Sequence, residues 1–248
     1  QELLALLDER NFPIGELRLL ASARSAGKEI QFKEQKIIVQ ELTHESFEGI
    51  DIVLASAGGS LSKEYAPSAI KAGAVVVDNT SFFRMKKDVP LVVPEINPEE
   101  ILKHNGVIAN PNCSTIIMLL PLWPLHQKIG IKRVFSATYQ AASGAGAQAM
   151  EELRLESLAL AQGKEFTNTV IPHQYAFNLF PHNAPFLDNG YNEEEWKMVA
   201  ETKKIFNQDD FQVNATCVRV PVLRAHSEAL NIEFLRETSE DEIYSILK

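Results

Sequence analysis

The chain has 248 residues, of which 45% are hydrophobic and 23% are charged, and its formal net charge is −9. This length suits one large or two medium globular domains, and the negative charge argues against nucleic acid or an anionic membrane as a partner. The two cysteines, Cys113 and Cys217, cannot form a disulfide framework and fit a reducing compartment. No apolar run is long enough to span a membrane, and we find no signal peptide. We therefore expect a cytoplasmic protein, or one of the plastid stroma if the source is a plant.

The first half of the sequence alternates between strand and helix patterns. Strands are predicted at 17–21, 50–55, 74–78 and 107–109, a hairpin at 29–32 and 36–40, and helices at 1–10, 62–72 and 98–104. The run 50–55 is continuously apolar, which is typical of a strand buried on both faces. A strand, a small-residue turn, a helix and a second strand make a βαβ unit, so we predict a Rossmann-like, mostly parallel sheet. Ligands of such sheets bind at the carboxyl ends of the strands.

The composition changes near residue 112, which divides the chain into predicted domains 1–112 and 113–248. In the second domain, a long alternating strand at 131–141 indicates a mixed or antiparallel sheet. Further strands are predicted at 213–222 and 230–235, and helices at 147–162 and 193–206. The helix that follows Cys113 should kink or stop at Pro121 and Pro124. The predicted fold class is α/β, with a Rossmann-like domain followed by an α+β domain.

Residues 110–115 read Asn-Pro-Asn-Cys-Ser-Thr and place a thiol where a loop becomes a helix. Asn112 is a suitable N-cap. Free backbone N–H groups and the helix dipole favour an anion there, so we expect a lowered pKa for Cys113 and a nucleophilic thiolate. The alternative is a buried, inert thiol, since free cysteine is among the most buried residue types.

His226 is the best candidate among the six histidines for a proton-transfer partner of Cys113. It follows a predicted strand, and its small neighbours leave the ring accessible, although a lone histidine is often structural. Arg219 lies seven positions earlier, and an odd separation on a strand points side chains to opposite faces. The two side chains therefore meet only if the chain bends, which Pro221 makes plausible.

Other residue groups have both a functional and a plain structural interpretation. Residues 22–27, Ser-Ala-Arg-Ser-Ala-Gly, can cradle a phosphate or form an ordinary exposed turn. Glu194 and Lys197 lie three apart on one predicted helix, where they can address the two ends of a zwitterion or form a surface ion pair. No Cys/His spacing resembles a zinc site, so we expect no metal.

Several collinear motifs resemble those of aspartate-semialdehyde dehydrogenases. They include Asn-Pro-Asn-Cys-Ser-Thr, Tyr-Gln-Ala-Ala-Ser-Gly-Ala-Gly, Glu-Glu-Trp-Lys and Arg-Val-Pro-Val-Leu-Arg-Ala-His-Ser-Glu, and the resemblance covers essentially the whole chain. It implies NADPH-dependent reduction of L-aspartyl-4-phosphate to L-aspartate 4-semialdehyde with release of phosphate, through a thioester. That step feeds the synthesis of lysine (through diaminopimelate), methionine, threonine and isoleucine, and the family is usually homodimeric.

The resemblance also implies roles for individual residues. The catalytic group would be the nucleophile Cys113, the acid/base His226, and Gln140, which orients the acyl intermediate. The substrate would be bound by Arg219 at its carboxylate, by Glu194 at its ammonium, and at its phosphate by Arg84, Asn112 and Lys197. The 2′-phosphate of NADP would be held by Ser22, Arg24 and Ser25. The nicotinamide side would be flanked by Ser56, Ala57, Gly58, Gly59, Ser143 and Gly144.

One departure from the family and three alternatives accompany this interpretation. The family opens with a strand and a Gly-rich turn for the cofactor pyrophosphate, which has no counterpart here, and its C-terminal portion is cut short at Lys248. We therefore expect a fragment of the enzyme that binds NADPH poorly. The alternatives are an N-acetyl-γ-glutamyl-phosphate reductase-like enzyme, a cysteine hydrolase and a non-catalytic scaffold relative.

Overall fold

The computed structural model describes residues 2–248. Its six α-helices, α1 to α6, are Glu2–Glu9, Gly59–Lys71, Cys113–Lys128, Ala147–Ala161, Glu193–Phe206 and Glu240–Leu247. Its strands, β1 to β11, are Leu20–Ala21, Glu29–Phe32, Gln35–Ile38, Gln40–Glu41, Ile52–Ala55, Val75–Asp78, Val107–Ala109, Ile131–Gln140, Phe180–Pro181, Gln212–Arg219 and Ser227–Phe234. Short 3-10 helices lie at Pro98–Lys103 and Ala142–Ala145. Within residues 2–248 no helix is both long enough and apolar enough to cross a membrane.

The first half of the chain is built on parallel strands, as predicted. β5, β6 and β7 form a parallel three-stranded sheet in that order, and β1 pairs in parallel with β4. The hairpin of β2 and β3 is also confirmed. The parallel order brings the ends of β5, β6 and β7 to one edge of the sheet, where a chain of side-chain amides joins them. Asn79 donates to Ser56 Oγ at 3.2 Å, and Asn110 donates to Asn79 Oδ1 at 2.8 Å.

The prediction that β5 is buried on both faces is wrong. Ile52 and Leu54 of this strand are 50% and 41% exposed. β5 is an outer strand of its three-stranded sheet. Leu3 and Leu6 of α1 line, with Leu54, an apolar cavity of about 200 Å³. A continuous apolar run is typical of an inner strand of a parallel sheet. The run alone does not show whether the strand has a neighbour on each side.

The helix after Cys113 does not stop at its prolines, which was one of the two predicted outcomes; a kink there remains a prediction. α3 continues through Pro121 and Pro124 to Lys128. A proline inside a helix costs about 3 kcal/mol through its missing N–H and its steric clash. The apolar face of α3 offsets this cost, because full burial of a large aliphatic side chain contributes about 1.5–3 kcal/mol. Four such side chains of α3 are at most 2% exposed: Met118, Leu119, Leu122 and Leu125.

The second half contains a mixed four-stranded sheet in the order β11, β8, β10, β9. β8 is parallel to β10 and antiparallel to β11, which resolves the predicted choice between a mixed and an antiparallel sheet. Because β8 and β10 run in parallel, their last residues, Gln140 and Arg219, are direct neighbours. Phe135 and Tyr139 lie on the outer face of β8 and are 46% and 42% exposed.

The long loop between α4 and α5 is ordered by two buried carboxylates of α4. Glu152 accepts the backbone N–H groups of residues 169–171, and Glu156 accepts those of Tyr175 and Ala176. Tyr175 in turn donates its hydroxyl to the Gln140 carbonyl at 3.3 Å. The loop therefore has a defined path toward the end of β8 although it contains little regular secondary structure.

Candidate active site

Cys113 is the first residue of α3, and Asn112 caps this helix. The Asn112 side chain accepts the backbone N–H groups of Ser114 and Thr115 at 2.9 and 3.1 Å. Cys113 is exposed, whereas Cys217 is fully buried with its Sγ 3.6 Å from Met198 Sδ. Burial raises the pKa of Cys217 to about 12. The chain therefore has one accessible thiol, at the start of a capped helix, and one inert thiol in the core.

The expected lowering of the Cys113 pKa is wrong: its pKa is raised. Desolvation by the surrounding protein atoms is the largest cause, and the carboxylate of Glu194 adds to it. Hydrogen bonds from Ser114 and the positive charge of Arg84 lower the pKa of Cys113, but by less than desolvation and Glu194 raise it. At neutral pH the thiol is therefore mostly protonated, and a thiolate would form only if a base accepted its proton or a positive charge offset the charge of Glu194.

Three polar side chains converge on the start of α3. Glu194 of α5, only 6% exposed, accepts from Asn112 Nδ2 at 2.8 Å and from Gln140 Nε2 at 3.4 Å. Gln140 also donates to Ser114 Oγ at 2.9 Å. Burial alone would raise the pKa of Glu194, but His182, Asn112 and Lys197 together lower it below its usual range. The result is a buried negative charge close enough in space to Cys113 to affect the pKa of its thiol.

Glu194 and Lys197 do not form the plain surface ion pair that their spacing also allows. Lys197 Nζ lies 3.6 Å from Glu194 Oε2 and 3.4 Å from Glu193 Oε1, and its side chain is 24% exposed. Lys197 thus reaches from partial exposure toward a carboxylate inside the pocket. It can approach an anion bound beside Cys113 while remaining balanced by two carboxylates.

His226 lies beside the turn that follows β8. Its Nδ1 accepts the backbone N–H of Ala141 at 3.0 Å, so the neutral ring carries its proton on Nε2. A Cβ added to Gly144 would lie only 2.9 Å from His226 Nε2, so the ring packs closely on this glycine. Burial and the charge of Arg219 lower the pKa of His226, against a smaller raising effect of Glu194. His226 is therefore neutral at physiological pH.

Arg219 and His226 do meet, because the chain bends between them. β10 ends at Arg219, and the following segment contains Ala225 in a left-handed conformation with a φ of 70°. A Cβ on Gly144 would lie 3.3 Å from Arg219 Nη1 as well as against the imidazole. Arg219 is 5% exposed and donates from Nη1 to the Ala141 carbonyl at 3.2 Å. Its buried Nε has no partner within residues 2–248.

Arg84 uses more of its N–H groups within the protein than a purely phosphate-binding role would require. Its guanidinium donates to the carbonyls of Asn110 and Asn79, each at 2.9 Å, and to Glu201 Oε1 at 3.2 Å. Glu201 also accepts the backbone N–H of Asn112 at 2.6 Å. Three of the five N–H groups of Arg84 are thereby used, and two remain for a ligand. Arg84 and Glu201 together brace the loop that carries Cys113.

The expected cofactor residues of the first half lie at strand ends. The Ser25 N–H donates to the Ser22 carbonyl at 2.8 Å, which closes a tight turn after β1. Arg24 in this turn is exposed, and its side chain forms no ion pair or hydrogen bond with residues 2–248. Ser56 and Ala57 lead from β5 to Gly58, whose φ of 109° is open to glycine and lets α2 begin at Gly59.

The remaining expected cofactor residues, Ser143 and Gly144, belong to the turn after β8. The Ser143 N–H donates to the Leu223 carbonyl at 3.0 Å, which ties this turn to the segment before His226. The turn therefore lies on the side of the pocket formed by the second half of the chain.

Comparison with known families identifies both halves. The semialdehyde dehydrogenase NAD binding domain matches residues 1–104, and the semialdehyde dehydrogenase dimerisation domain matches residues 122–248. The aspartate-semialdehyde dehydrogenase of Synechocystis is 59% identical over 94% of this chain and 69% of its own length. The chain belongs to the aspartate-semialdehyde dehydrogenase family. Its resemblance to that family is thereby confirmed, and its two-part α/β fold is that of its relatives.

Solved structures of the family agree in fold. Aspartate-semialdehyde dehydrogenase II from Vibrio cholerae, complexed with ASA, is 45% identical, with a TM-score of 0.97 over 99% of this chain and 74% of that one. The Candida albicans aspartate-semialdehyde dehydrogenase with NADP is 27% identical, with a TM-score of 0.68 over 94% of this chain and 68% of that one. The chain thus aligns along nearly its whole length with roughly three quarters of the bacterial structure.

Two residues that contact the expected site residues were not singled out from the sequence. Glu201 lies seven residues after Glu194 on α5, and this spacing of two helical turns was a usable signal for a shared face. His182 contacts Arg219 but lies in a loop rich in Pro, Asn and His, where no motif marks it. In the part of the chain that the structure describes, no group of three or more potential ligands could hold a metal ion.

Proposed function

We propose that this protein catalyses the NADPH-dependent reductive dephosphorylation of L-aspartyl-4-phosphate to L-aspartate 4-semialdehyde through a thioester on Cys113. The supporting observation is the accessible thiol at the start of α3, surrounded by the hydrogen-bonded side chains of Asn112, Gln140 and Glu194. A cysteine that served only to fill the core would resemble Cys217 instead. The relative from V. cholerae was solved with ASA.

The charges in the pocket match a zwitterionic acyl phosphate. Arg219 offers three free N–H groups to the α-carboxylate, and the buried Glu194 offers a negative charge to the α-ammonium. Lys197, the two remaining N–H groups of Arg84 and the Asn112 amide would bind the phosphate. Glu194 also favours this substrate over an N-acetylated one, because an amide nitrogen has no charge to balance a buried carboxylate. This argues against the N-acetyl-γ-glutamyl-phosphate reductase alternative.

The residues present fit NADP as the cofactor. The turn of Ser22 and Ser25 carries the unpaired guanidinium of Arg24, which suits a phosphate monoester such as the 2′-phosphate of NADP. Residues 56–59 on one side and Ser143 and Gly144 on the other would flank the nicotinamide. NADPH, when bound, supplies the hydride that reduces the thioester. The C. albicans relative was solved with NADP.

The Cys113 sulfur attacks the acyl carbon, the C–O bond to phosphate breaks, and phosphate leaves with the bonding electron pair. Binding of the substrate ammonium next to Glu194 neutralises the charge that raises the Cys113 pKa, so substrate binding promotes the thiolate. After reduction, the tetrahedral oxyanion collapses and the carbon–sulfur bond breaks, which releases the aldehyde and the thiolate. The second hydrogen of the Asn112 side-chain amide would stabilise this oxyanion, since the N–H groups of Ser114 and Thr115 already donate to Asn112 Oδ1.

His226 has a defined starting state in this scheme. With Nδ1 occupied by the Ala141 N–H, the neutral ring presents Nε2–H to the pocket and can donate to the oxyanion. Action as a base at Nε2 requires the other tautomer, in which Nδ1–H would oppose the Ala141 N–H. The acid/base role expected from the family is therefore coupled to release of this hydrogen bond.

The assay that tests the proposal runs the reaction in reverse. The full-length gene product is given aspartate semialdehyde, phosphate and NADP, and NADPH formation is followed by absorbance. We expect Cys113→Ala to abolish turnover, and Cys217→Ala, the matched thiol control, to retain it. Activity that survives in Cys113→Ala would exclude the covalent route. Preferential turnover of N-acetylglutamate semialdehyde would replace the proposed substrate.

We further propose a cytoplasmic homodimer that feeds lysine, methionine, threonine and isoleucine synthesis. The family model for residues 122–248 is a dimerisation domain, and the outer face of β8 exposes Phe135 and Tyr139. The pathways follow from the proposed product. The reducing compartment is supported by two unpaired cysteines.

A further inference from the structure

His182 is held by the backbone beside the strand that carries Arg219. β9 pairs with β10 so that Phe180 is opposite Arg219, and β9 leads directly into His182. The His182 N–H then donates to the Cys217 carbonyl at 2.8 Å, which continues the pairing for one more residue. The position of this half-buried imidazole relative to Arg219 is therefore fixed by the sheet.

The contact between the two side chains defines the state of the ring. Arg219 Nη2 lies 2.8 Å from His182 Nε2. A guanidinium has no acceptor, so this nitrogen of His182 must carry a lone pair, and the ring must be neutral at Nε2. The other nitrogen, Nδ1, faces the backbone N–H of Ala184 at 3.2 Å. Both ring nitrogens thus face donors, and a neutral ring can accept from only one of them. Acceptance from the charged Arg219, the shorter contact, places the ring proton on Nδ1, opposite the Ala184 N–H.

Arg219 is consequently gripped at both ends of its guanidinium. Nη1 donates to the Ala141 carbonyl and Nη2 donates to His182, while the buried Nε has no partner within residues 2–248. Two acceptors fix the plane of the fork and leave Nε–H and one N–H on each Nη for a ligand. A carboxylate that binds a guanidinium through two parallel hydrogen bonds is sensitive to the orientation of that plane.

We propose that His182 is a positioning residue that holds the Arg219 guanidinium in the plane required to bind the α-carboxylate of the substrate. This inference rests on the proposed carboxylate-binding role of Arg219 and adds the residue that orients it. His182 itself does not contact the reacting atoms in this role. Its loss should impair recognition of the carboxylate and leave the chemistry at Cys113 intact.

The charges around His182 keep its ring in the accepting form. The positive charges of Arg219 and Lys197 disfavour a proton on it, and the negative charge of Glu194 favours one. Burial is the largest effect, and together they lower the pKa of His182 to about 4. The neutral imidazole that accepts from Arg219 therefore persists throughout the physiological pH range.

The test compares a matched pair of variants on two substrates. His182→Leu fills the space without an acceptor, and His182→Gln restores an acceptor oxygen. Each is assayed in the full-length gene product, with phosphate and NADP saturating, on aspartate semialdehyde and on 3-aminopropanal, which lacks the α-carboxylate. Where turnover of 3-aminopropanal is too slow to measure, its inhibition constant against aspartate semialdehyde is measured instead. Arg219→Ala is the reference variant.

For aspartate semialdehyde we expect His182→Leu to lower kcat/KM about tenfold, mainly through KM, because a hydrogen bond to a charged group is lost. For 3-aminopropanal the same substitution should change kcat/KM or the inhibition constant by no more than about twofold. His182→Gln should recover most of the loss. If His182→Leu does not fold, as judged by its thermal unfolding, His182→Ala takes its place.

The possible failures are distinguishable. If Arg219→Ala lowers kcat/KM, or raises the inhibition constant, by the same factor for both aldehydes, the proposed role of Arg219 is wrong. A second outcome is that Arg219→Ala impairs aspartate semialdehyde more than 3-aminopropanal, whereas His182→Leu changes kcat/KM for both aldehydes equally or for neither. Arg219 would then bind the carboxylate without the help of His182, and this inference alone would be overturned. A His182→Gln variant as impaired as His182→Leu would likewise show that hydrogen-bond acceptance is not what position 182 contributes.

Discussion

At the scale of single residues, the two cysteines show how environment decides chemistry. Cys217 is sealed against Met198, whereas Cys113 is open at the start of a helix. The sequence pattern around Cys113 predicted its position correctly and the direction of its pKa shift incorrectly. The helix start is visible in the sequence, but desolvation and the carboxylate of Glu194, from a helix about 80 residues later, are not.

The effect of Glu194 on the thiol can be measured directly. Glu194→Gln removes the negative charge that raises the Cys113 pKa, so the thiolate fraction near pH 7 should increase. We expect the rate of alkylation by iodoacetamide to rise about threefold to tenfold, which corresponds to about half to one pKa unit. Glu193→Gln, the exposed neighbour on the same helix, is the control and should leave the rate unchanged. A slower reaction in Glu194→Gln would contradict the sign of this interaction.

At the scale of elements, α5 was predicted with the correct ends and α3 was not. α5 has strong local signals, because Asn192 and Glu195 form a capping box and Asn207 ends the helix in a left-handed conformation. α3 contains Pro121 and Pro124, and local rules stop it there. Its continuation depends on burial against the sheet and on α5, which no local pattern reports.

The loop held by α4 offers a stability test with a pH signature. Burial raises the pKa of Glu152, but four hydrogen bonds from residues 169–171 outweigh it and lower the pKa overall. A lowered pKa gives stability that is present above the unfolded value and lost as the pH falls through the folded value. We expect Glu152→Gln to reduce the free energy of unfolding near pH 7 by about 1–3 kcal/mol.

The comparison uses urea denaturation of the wild type and Glu152→Gln at neutral and at acidic pH. The difference between them should begin to shrink as the pH falls below the usual pKa of a glutamate, where the unfolded carboxyl is protonated, and should be lost once the pH is below the lowered pKa of the folded protein. Glu151→Gln, on the exposed face of the same helix, is the control. A difference that is constant with pH would mean that the charge of Glu152 contributes nothing.

At the scale of the whole molecule, the exposed apolar side chains on one face of the mixed sheet are a candidate dimer interface. Phe135 and Tyr139 protrude from the same face of β8, in a segment matched by a dimerisation domain. We expect Phe135→Glu to shift the molar mass, measured by light scattering after gel filtration, to about half, because a buried unpaired charge opposes association. Ile38→Glu, on the exposed face of β3, is the control and should leave the molar mass unchanged. An unchanged molar mass in Phe135→Glu would mean that β8 lies outside the interface.

The sequence predicted the parallel sheet, the hairpin, a second sheet that is either mixed or antiparallel, and the position of the thiol, since each depends on local periodicity or on a helix cap. It did not predict the exposure of Ile52 and Leu54 or the contact of His182 with Arg219. Both depend on which strands become neighbours in space. The boundary at residue 112 and the individual roles of the pocket residues remain predictions.

Glu201 joins parts of the chain that are far apart in sequence. One oxygen accepts from Arg84, which is anchored at the ends of β6 and β7, and the other accepts from the residue before Cys113. The start of α3, which carries Cys113, is consequently tied to α5 through Glu201. Any movement of the two halves that preserves the hydrogen bonds of Glu201 would therefore keep Asn112 next to Glu194, to which its side chain donates.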